Sequence, residues 1–199
     1  LKGSAIDVGS TDVPASLHDL LWPECGAAIL RRQTPKNIHT WLDGLNPEVL
    51  PRGRVILPLE KLAQTVGHLC DISGLPAGPG RDWLEKDIVS LAALFSGLAG
   101  AKFLRLRLDV VTTNACRIFH IDAIKARLVC TYRGTGTQYG IPTDGTDPKH
   151  VFTVQTGSLI LLRGTLWLQQ PPSGMLHRSP PIEGTGETRL VLVLDPVDD

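Results

Sequence analysis

After Gly100 the hydrophobic period of the chain changes. Leu104, Leu106, Leu108 and Val110 alternate with Phe103, Arg105, Arg107 and Asp109, the two-residue period of a strand that buries one face. Further strand-like segments follow at 117–121, 124–133, 150–155, 158–162, 175–177 and 188–194, separated by loops rich in Gly, Pro, Asp and Thr. Seven such segments in succession predict a sandwich or barrel of antiparallel strands.

The first hundred residues carry a different pattern. Residues 1–16 lack periodicity and read as an extended arm. Over 17–32 apolar residues recur at loosely helical spacing, interrupted by Pro23 and Gly26. Thr34 and Pro35 read as the N-cap and first residue of a short helix over 35–43, which Gly44 ends. A brief strand at 55–57 precedes a helical stripe of Leu59, Leu62, Ala63, Val66, Leu69 and Cys70. Asp82 then caps a helix running to about 98, with Trp83, Ile88, Leu91, Leu94, Phe95 and Leu98 on its buried face. The expected organisation is α+β in a single domain over 1–199. It comprises an arm (1–16), mainly helical support packed on one sheet (17–100) and a β core (101–199).

Charge excludes some partners. Twenty basic and twenty acidic residues balance to zero, with no Lys/Arg cluster beyond pairs such as Arg31 and Arg32, so nothing marks a surface for a nucleic-acid backbone. The apolar runs at 159–162 and 190–194 are cut by Arg163 and Asp195, far short of a bilayer span. The four cysteines form no CxxC pair, and no basic segment followed by an apolar one opens the chain. Reduced thiols and a cytoplasmic location are the expectation. The loop at 135–149 contains Gly136, Gly140 and Gly145, but no helix pattern or Gly-Lys-Ser/Thr ending follows, so it is not read as a phosphate cradle. At this length it is either functional or floppy, and if functional it is the place to look for substrate specificity.

The chemistry concentrates at His120 and Asp122. Two residues apart on extended chain, they project to one side. His177, beside a predicted strand end, is the best third ligand. Two histidines and a carboxylate on one face of an octahedral ion leave positions open, as non-haem Fe(II) oxygenases require. Arg189 opens the apolar strand 190–194, and an arginine entering a buried strand needs an anion against its desolvation. Cys116 and Cys130 lie near these ligands in sequence and keep a thiolate zinc site open as an alternative.

In this order, His120-Ile121-Asp122, the strand-like 156–162, His177-Arg178-Ser179-Pro180 and Arg189, the second half of the chain resembles the 2-oxoglutarate and Fe(II)-dependent oxygenase superfamily. The segments 119–122, 130–137 and 177–181 are also similar to a bacterial family of unknown function, DUF1826. The superfamily resemblance implies a double-stranded β-helix, a jelly-roll or cupin-like core with N-terminal helices. It implies His120, Asp122 and His177 as iron ligands and Arg189 as partner of the 2-oxoglutarate carboxylate, with Tyr132 a second candidate for that carboxylate. Asn114, Arg127 and Thr131 are further candidates for the cavity wall. The implied activity is a hydroxylase-type dioxygenase acting on a small molecule or a protein side chain. The alternative is a cupin-like protein that binds Zn(II) or another divalent ion without oxygenase activity.

Overall fold

Because both faces of its central strands are covered, the main sheet sorts its side chains by parity. The computed structural model describes residues 3–20, 23–142 and 145–197. Its main sheet has seven strands. At its middle, β10 (Arg189–Val197) lies between β5 (Ala126–Arg133) and β4 (Phe103–Val111), and β3 (Gly53–Pro58) closes one edge. On the other side of β5 come β8 (Leu159–Arg163), β2 (Cys25–Leu30) and β1 (Asp7–Thr11). All neighbours are antiparallel except β1 with β2. A second, smaller sheet faces the first, with β6 (Gln138–Gly140) between β7 (Phe152–Thr153) and β9 (Leu176–Arg178).

Even-numbered residues of the central strands face outward into a layer of helices. Leu104, Leu106, Leu108, Leu128, Cys130, Tyr132, Leu190, Leu192 and Leu194 pack there. Opposite them stand α1 (Lys36–Gly44), α2 (Leu62–Ser73) and α3 (Pro79–Ala99), the last contributing Leu84, Ile88, Leu91, Ala92 and Phe95. Odd-numbered residues of β4, β5 and β10 face between the two sheets, where Val129, Val191 and Val193 join Ile160 and Leu162, the even residues of β8, in a second apolar cluster. The polar odd residues Arg105, Arg107, Asp109, Arg127, Thr131, Arg189 and Asp195 share that face by the same alternation.

Several expectations are corrected. The extended arm at 1–16 is tied down, since β1 forms an edge of the main sheet. The helical reading of 17–32 gives way to a 3-10 turn (Pro14–Leu20) and the buried strand β2. A six-residue apolar run between Pro23 and Arg31 is too short for a stable helix but pairs through residues 27–30 with β8. The 17–100 segment holds α1, α2 and α3 and also supplies β2 and β3 to the main sheet. Leu21 and Trp22 lie outside the described residues. Pro35, not Thr34, occupies the N-cap of α1, with no side chain capping it. Gly78 takes that place in α3, leaving Asp82 in its first turn. No strand forms at 117–121, only a single bridge at His120. The loop 135–149 contains β6.

Candidate metal centre

His120 and His177 are opposite residues of that bridge. Each backbone N–H donates to the other's carbonyl at 3.0 Å, so two histidines on separate segments are fixed side by side with ring centroids 4.5 Å apart. His120 Nδ1 lies 2.8 Å from the Ile118 carbonyl. A carbonyl only accepts, so Nδ1 carries the proton and the Nε2 lone pair points free. Asp122 follows after a turn held by Thr165 N–H donating to its carbonyl at 2.9 Å. Gly164 lets that turn close. A Cβ there would stand 1.9 Å from the Ile124 carbonyl oxygen and 2.8 Å from that of Asp122.

The ligand atoms of His120, Asp122 and His177 all lie within 4.8 Å of one another. Asp122 Oδ1 is 3.5 Å from His120 Nε2, and Oδ2 is 3.0 Å from His177 Nε2. Despite that closeness Oδ2 is a buried acceptor with no aligned donor, which a cation among the three groups would satisfy. Burial raises the Asp122 carboxyl, but the His177 contact and the charges of Arg127 and His120 outweigh it and lower it to about 2. Burial lowers His177, against the opposing pull of Asp122. A carboxylate and neutral imidazoles are the forms that bind metal.

Arg127 holds this carboxylate from behind. Its Nη1 donates to Asp122 Oδ1 at 2.5 Å, while Nε and Nη2 grip Asp195 at 2.7 and 3.0 Å. Among the candidate wall residues, Arg127 lines the cavity described below and Thr131 faces it. Asn114 does not. Its side chain accepts from the backbone N–H of Ile182 and Glu183.

The structure clusters His120, Asp122 and His177, sets the two histidines and Arg189 on one cavity, and leaves Tyr132 outside. Tyr132 is an even residue of β5, so its ring enters the helical layer. There its hydroxyl donates to Asp87 Oδ2 of α3 at 2.7 Å, and its ring meets Trp83 edge-on. Arg32 also grips Asp87, at 2.5 and 2.7 Å. This buried cluster is a brace between α3 and the sheet. Asp87→Ala is expected to destabilise the fold by about 3 kcal/mol or more, because it strands the Arg32 charge. Asp87→Asn should lose less, as chemical denaturation would register. Neither cysteine joins the metal cluster. Cys130 lies in the same brace, 3.3 Å from Arg32 Nη2, and Cys116 Sγ faces His120 Nδ1, the proton-bearing nitrogen, at 3.7 Å.

Between the sheets lies a cavity of about 160 Å³ lined by His120, His177, Arg127, Arg189, Arg107, Asp109 and the valines of β5 and β10. Arg189 is 1% exposed. Its Nε donates to the Thr135 carbonyl at 2.6 Å and Nη2 reaches Thr131 Oγ1 at 3.5 Å. Among the described residues no carboxylate pairs with it. Glu187 instead accepts from Thr135, and Asp195 from Arg127. Burial lowers the Arg189 guanidinium to about 10, which leaves it cationic at neutral pH.

Paired sheets with this strand order define a double-stranded β-helix, with the His-x-Asp…His cluster between its sheets. The chain belongs to the family described as "Protein of unknown function (DUF1826)", whose model matches residues 11–195. No curated protein matches the chain in sequence. Among solved structures it is similar to dioxygenase for auxin oxidation 1 from Arabidopsis thaliana in its 2-oxoglutarate complex. Identity is 11% and TM-score 0.57, covering 98% of this chain and 93% of that one. The rice dioxygenase for auxin oxidation gives 13% and 0.54, over 96% and 83% of the two chains. A Pseudomonas putida prolyl-4-hydroxylase gives 14% and 0.50, over 94% and 100%. At such identities the likeness carries the fold. Among the described residues no helix is long and apolar enough to cross a membrane.

Proposed function

We propose that the protein is an Fe(II)- and 2-oxoglutarate-dependent oxygenase of the hydroxylase type. His120, Asp122 and His177 hold the iron, and Arg189 receives the far carboxylate of 2-oxoglutarate. The observation that carries this reading is the shared cavity: both histidines of the three-donor cluster and a buried arginine, without an ion-paired carboxylate among the described residues, line the same space. When bound, iron and 2-oxoglutarate supply the oxidising chemistry, the cosubstrate leaving as succinate and carbon dioxide.

The chain's own residues do the rest. His120 presents Nε2 because Ile118 holds its other nitrogen. Arg127 keeps the Asp122 carboxylate ionised and oriented. Val129, Val191 and Val193 keep the wall apolar, which strengthens charge interactions within it. The cavity falls below the usual range of roughly 300–1,000 Å³ for drug-sized ligands, a size suited to a compact cosubstrate with the primary substrate entering from the mouth.

The test is anaerobic titration of metal-free protein with Fe(II) and then 2-oxoglutarate. A visible charge-transfer band that needs both additions is the expected result. Folded protein that shows no band would exclude the proposal, and a protein that retains only divalent metal would return the zinc-binding alternative.

A further inference from the structure

Four arginines line the cavity, Arg107, Arg127, Arg178 and Arg189, against one lining aspartate, Asp109. Two of the four have their charge or donors engaged. Arg127 is matched by Asp122 and Asp195. Arg178 donates to Gln138 Oε1 at 2.9 Å, and its guanidinium lies 4.3 Å from the Phe119 ring centroid. Arg189 is assigned to the cosubstrate in the reading above, on which this inference rests.

Arg107 is left over. It stands on the inward face of β4, opposite Val193 of β10, and its Nε is buried without a hydrogen-bond partner. Among the described residues no carboxylate forms an ion pair with it, including Asp109 two positions along the same face. Desolvation and the neighbouring Arg127 charge lower its pKa, against the weaker pull of Asp195 and Asp109, neither of which is in ion-pair contact with it. A guanidinium held in this way lowers its free energy when an anion arrives.

Charge balance indicates which anion. A divalent cation and a dianionic cosubstrate cancel, so binding both leaves the excess of arginines in place. We infer that the primary substrate carries a carboxylate or equivalent anionic group, and that Arg107 is the residue that recognises it. Arg107 is thus a specificity-determining residue for a small anionic substrate, while Arg189 serves the cosubstrate.

The experiment uses the anaerobic Fe(II) and 2-oxoglutarate complex and a panel of linear and aryl monocarboxylates, each paired with its uncharged amide. Perturbation of the charge-transfer band measures binding, and 2-oxoglutarate consumption in air measures coupling. In the wild type, carboxylates are expected to bind roughly ten- to a hundredfold more tightly than their amides, the range of a charge-assisted hydrogen bond. Arg107→Gln should erase that preference, and Arg107→Lys should keep part of it. Both variants should leave the 2-oxoglutarate Kd within about threefold. The melting temperature of each variant identifies one that fails to fold, and the lysine variant then carries the comparison.

A band with no carboxylate preference in the wild type overturns this inference and leaves the oxygenase reading standing. A tenfold or greater loss of 2-oxoglutarate affinity in Arg107→Gln also overturns it, because Arg107 would then be the cosubstrate's partner. Absence of any band in wild-type protein overturns both.

Discussion

Asp122→Ala protein is expected to fold, to bind Fe(II) at least about a hundredfold more weakly than the wild type, and to give no charge-transfer band with 2-oxoglutarate. Loss of a residue that merely orients a ligand already reduces metal affinity about 10–100-fold, so removal of the only carboxylate donor must exceed that. Folding survives because Arg127, the cation that Asp122 faces, retains both of its bonds to Asp195 and is not stranded. Metal binding can be followed by calorimetry with Fe(II) under nitrogen, or with Mn(II) as an air-stable substitute. Wild-type affinity in the alanine variant would remove Asp122 from the ligand set. Asp122→Asn adds a second measurement. It keeps the volume and one carbonyl oxygen, so its metal affinity should fall between the other two.

This site was legible where its chemistry lies in residue types at short spacing, and illegible where it depends on register. His-x-Asp, the distal histidine and the arginine opening an apolar strand are one-dimensional signals, and the structure sets both histidines and the arginine on one cavity with Asp122 beside the histidines. Tyr132 shows the limit. Which parity of β5 faces inward is fixed by pairing across the sheet, where Thr131 stands opposite Val191 and Cys130 opposite Leu192. Once Arg189 is known to face inward, Val191 and Thr131 must follow, and Tyr132 turns to the helices. Nothing within 124–133 alone reveals that choice.

Arg107 and Asp109 illustrate the converse. Their alternation with leucines predicted β4 correctly, yet a polar face on a strand ordinarily means solvent. Here a second sheet covers it. The sheet pairing of the arm at 1–16 and the strand within 17–32 were not legible for another reason, since short strands acquire their stability from partners distant in sequence. β2 pairs with β8 some 130 residues away, and β1 leans only on β2. The helices α2 and α3 were read nearly to their ends because their stabilising periodicity is local.

Arg189→Leu is expected to move stability and affinity in opposite directions. In the ligand-free protein the Arg189 guanidinium is buried with two hydrogen bonds to threonines and, among the described residues, no carboxylate in ion-pair contact, an arrangement that weakens the fold. Leucine would extend the apolar wall of Val129, Val191 and Val193. Replacing a buried charge by an apolar group commonly stabilises by about 1–4 kcal/mol. The Thr135 carbonyl loses a donor, which places the expected gain near the low end, about 1 kcal/mol, or a melting temperature higher by roughly 2–4 °C for a chain of this size. The same change should raise the 2-oxoglutarate Kd by a hundredfold or more, since truncating one partner of a buried charge pair costs about 2–5 kcal/mol in binding, with Fe(II) affinity unaltered. Arg189→Lys separates charge from geometry. The ammonium keeps the attraction but lacks the two-pronged fork, so its Kd should lie between the two. Thermal melts with and without saturating 2-oxoglutarate measure both effects at once, the ligand-induced rise in melting temperature disappearing in the leucine variant whose ligand-free melt is the higher. A leucine variant that keeps that rise would detach Arg189 from the cosubstrate, and one that melts below the wild type would show that the two threonine bonds outweigh the desolvation of the charge.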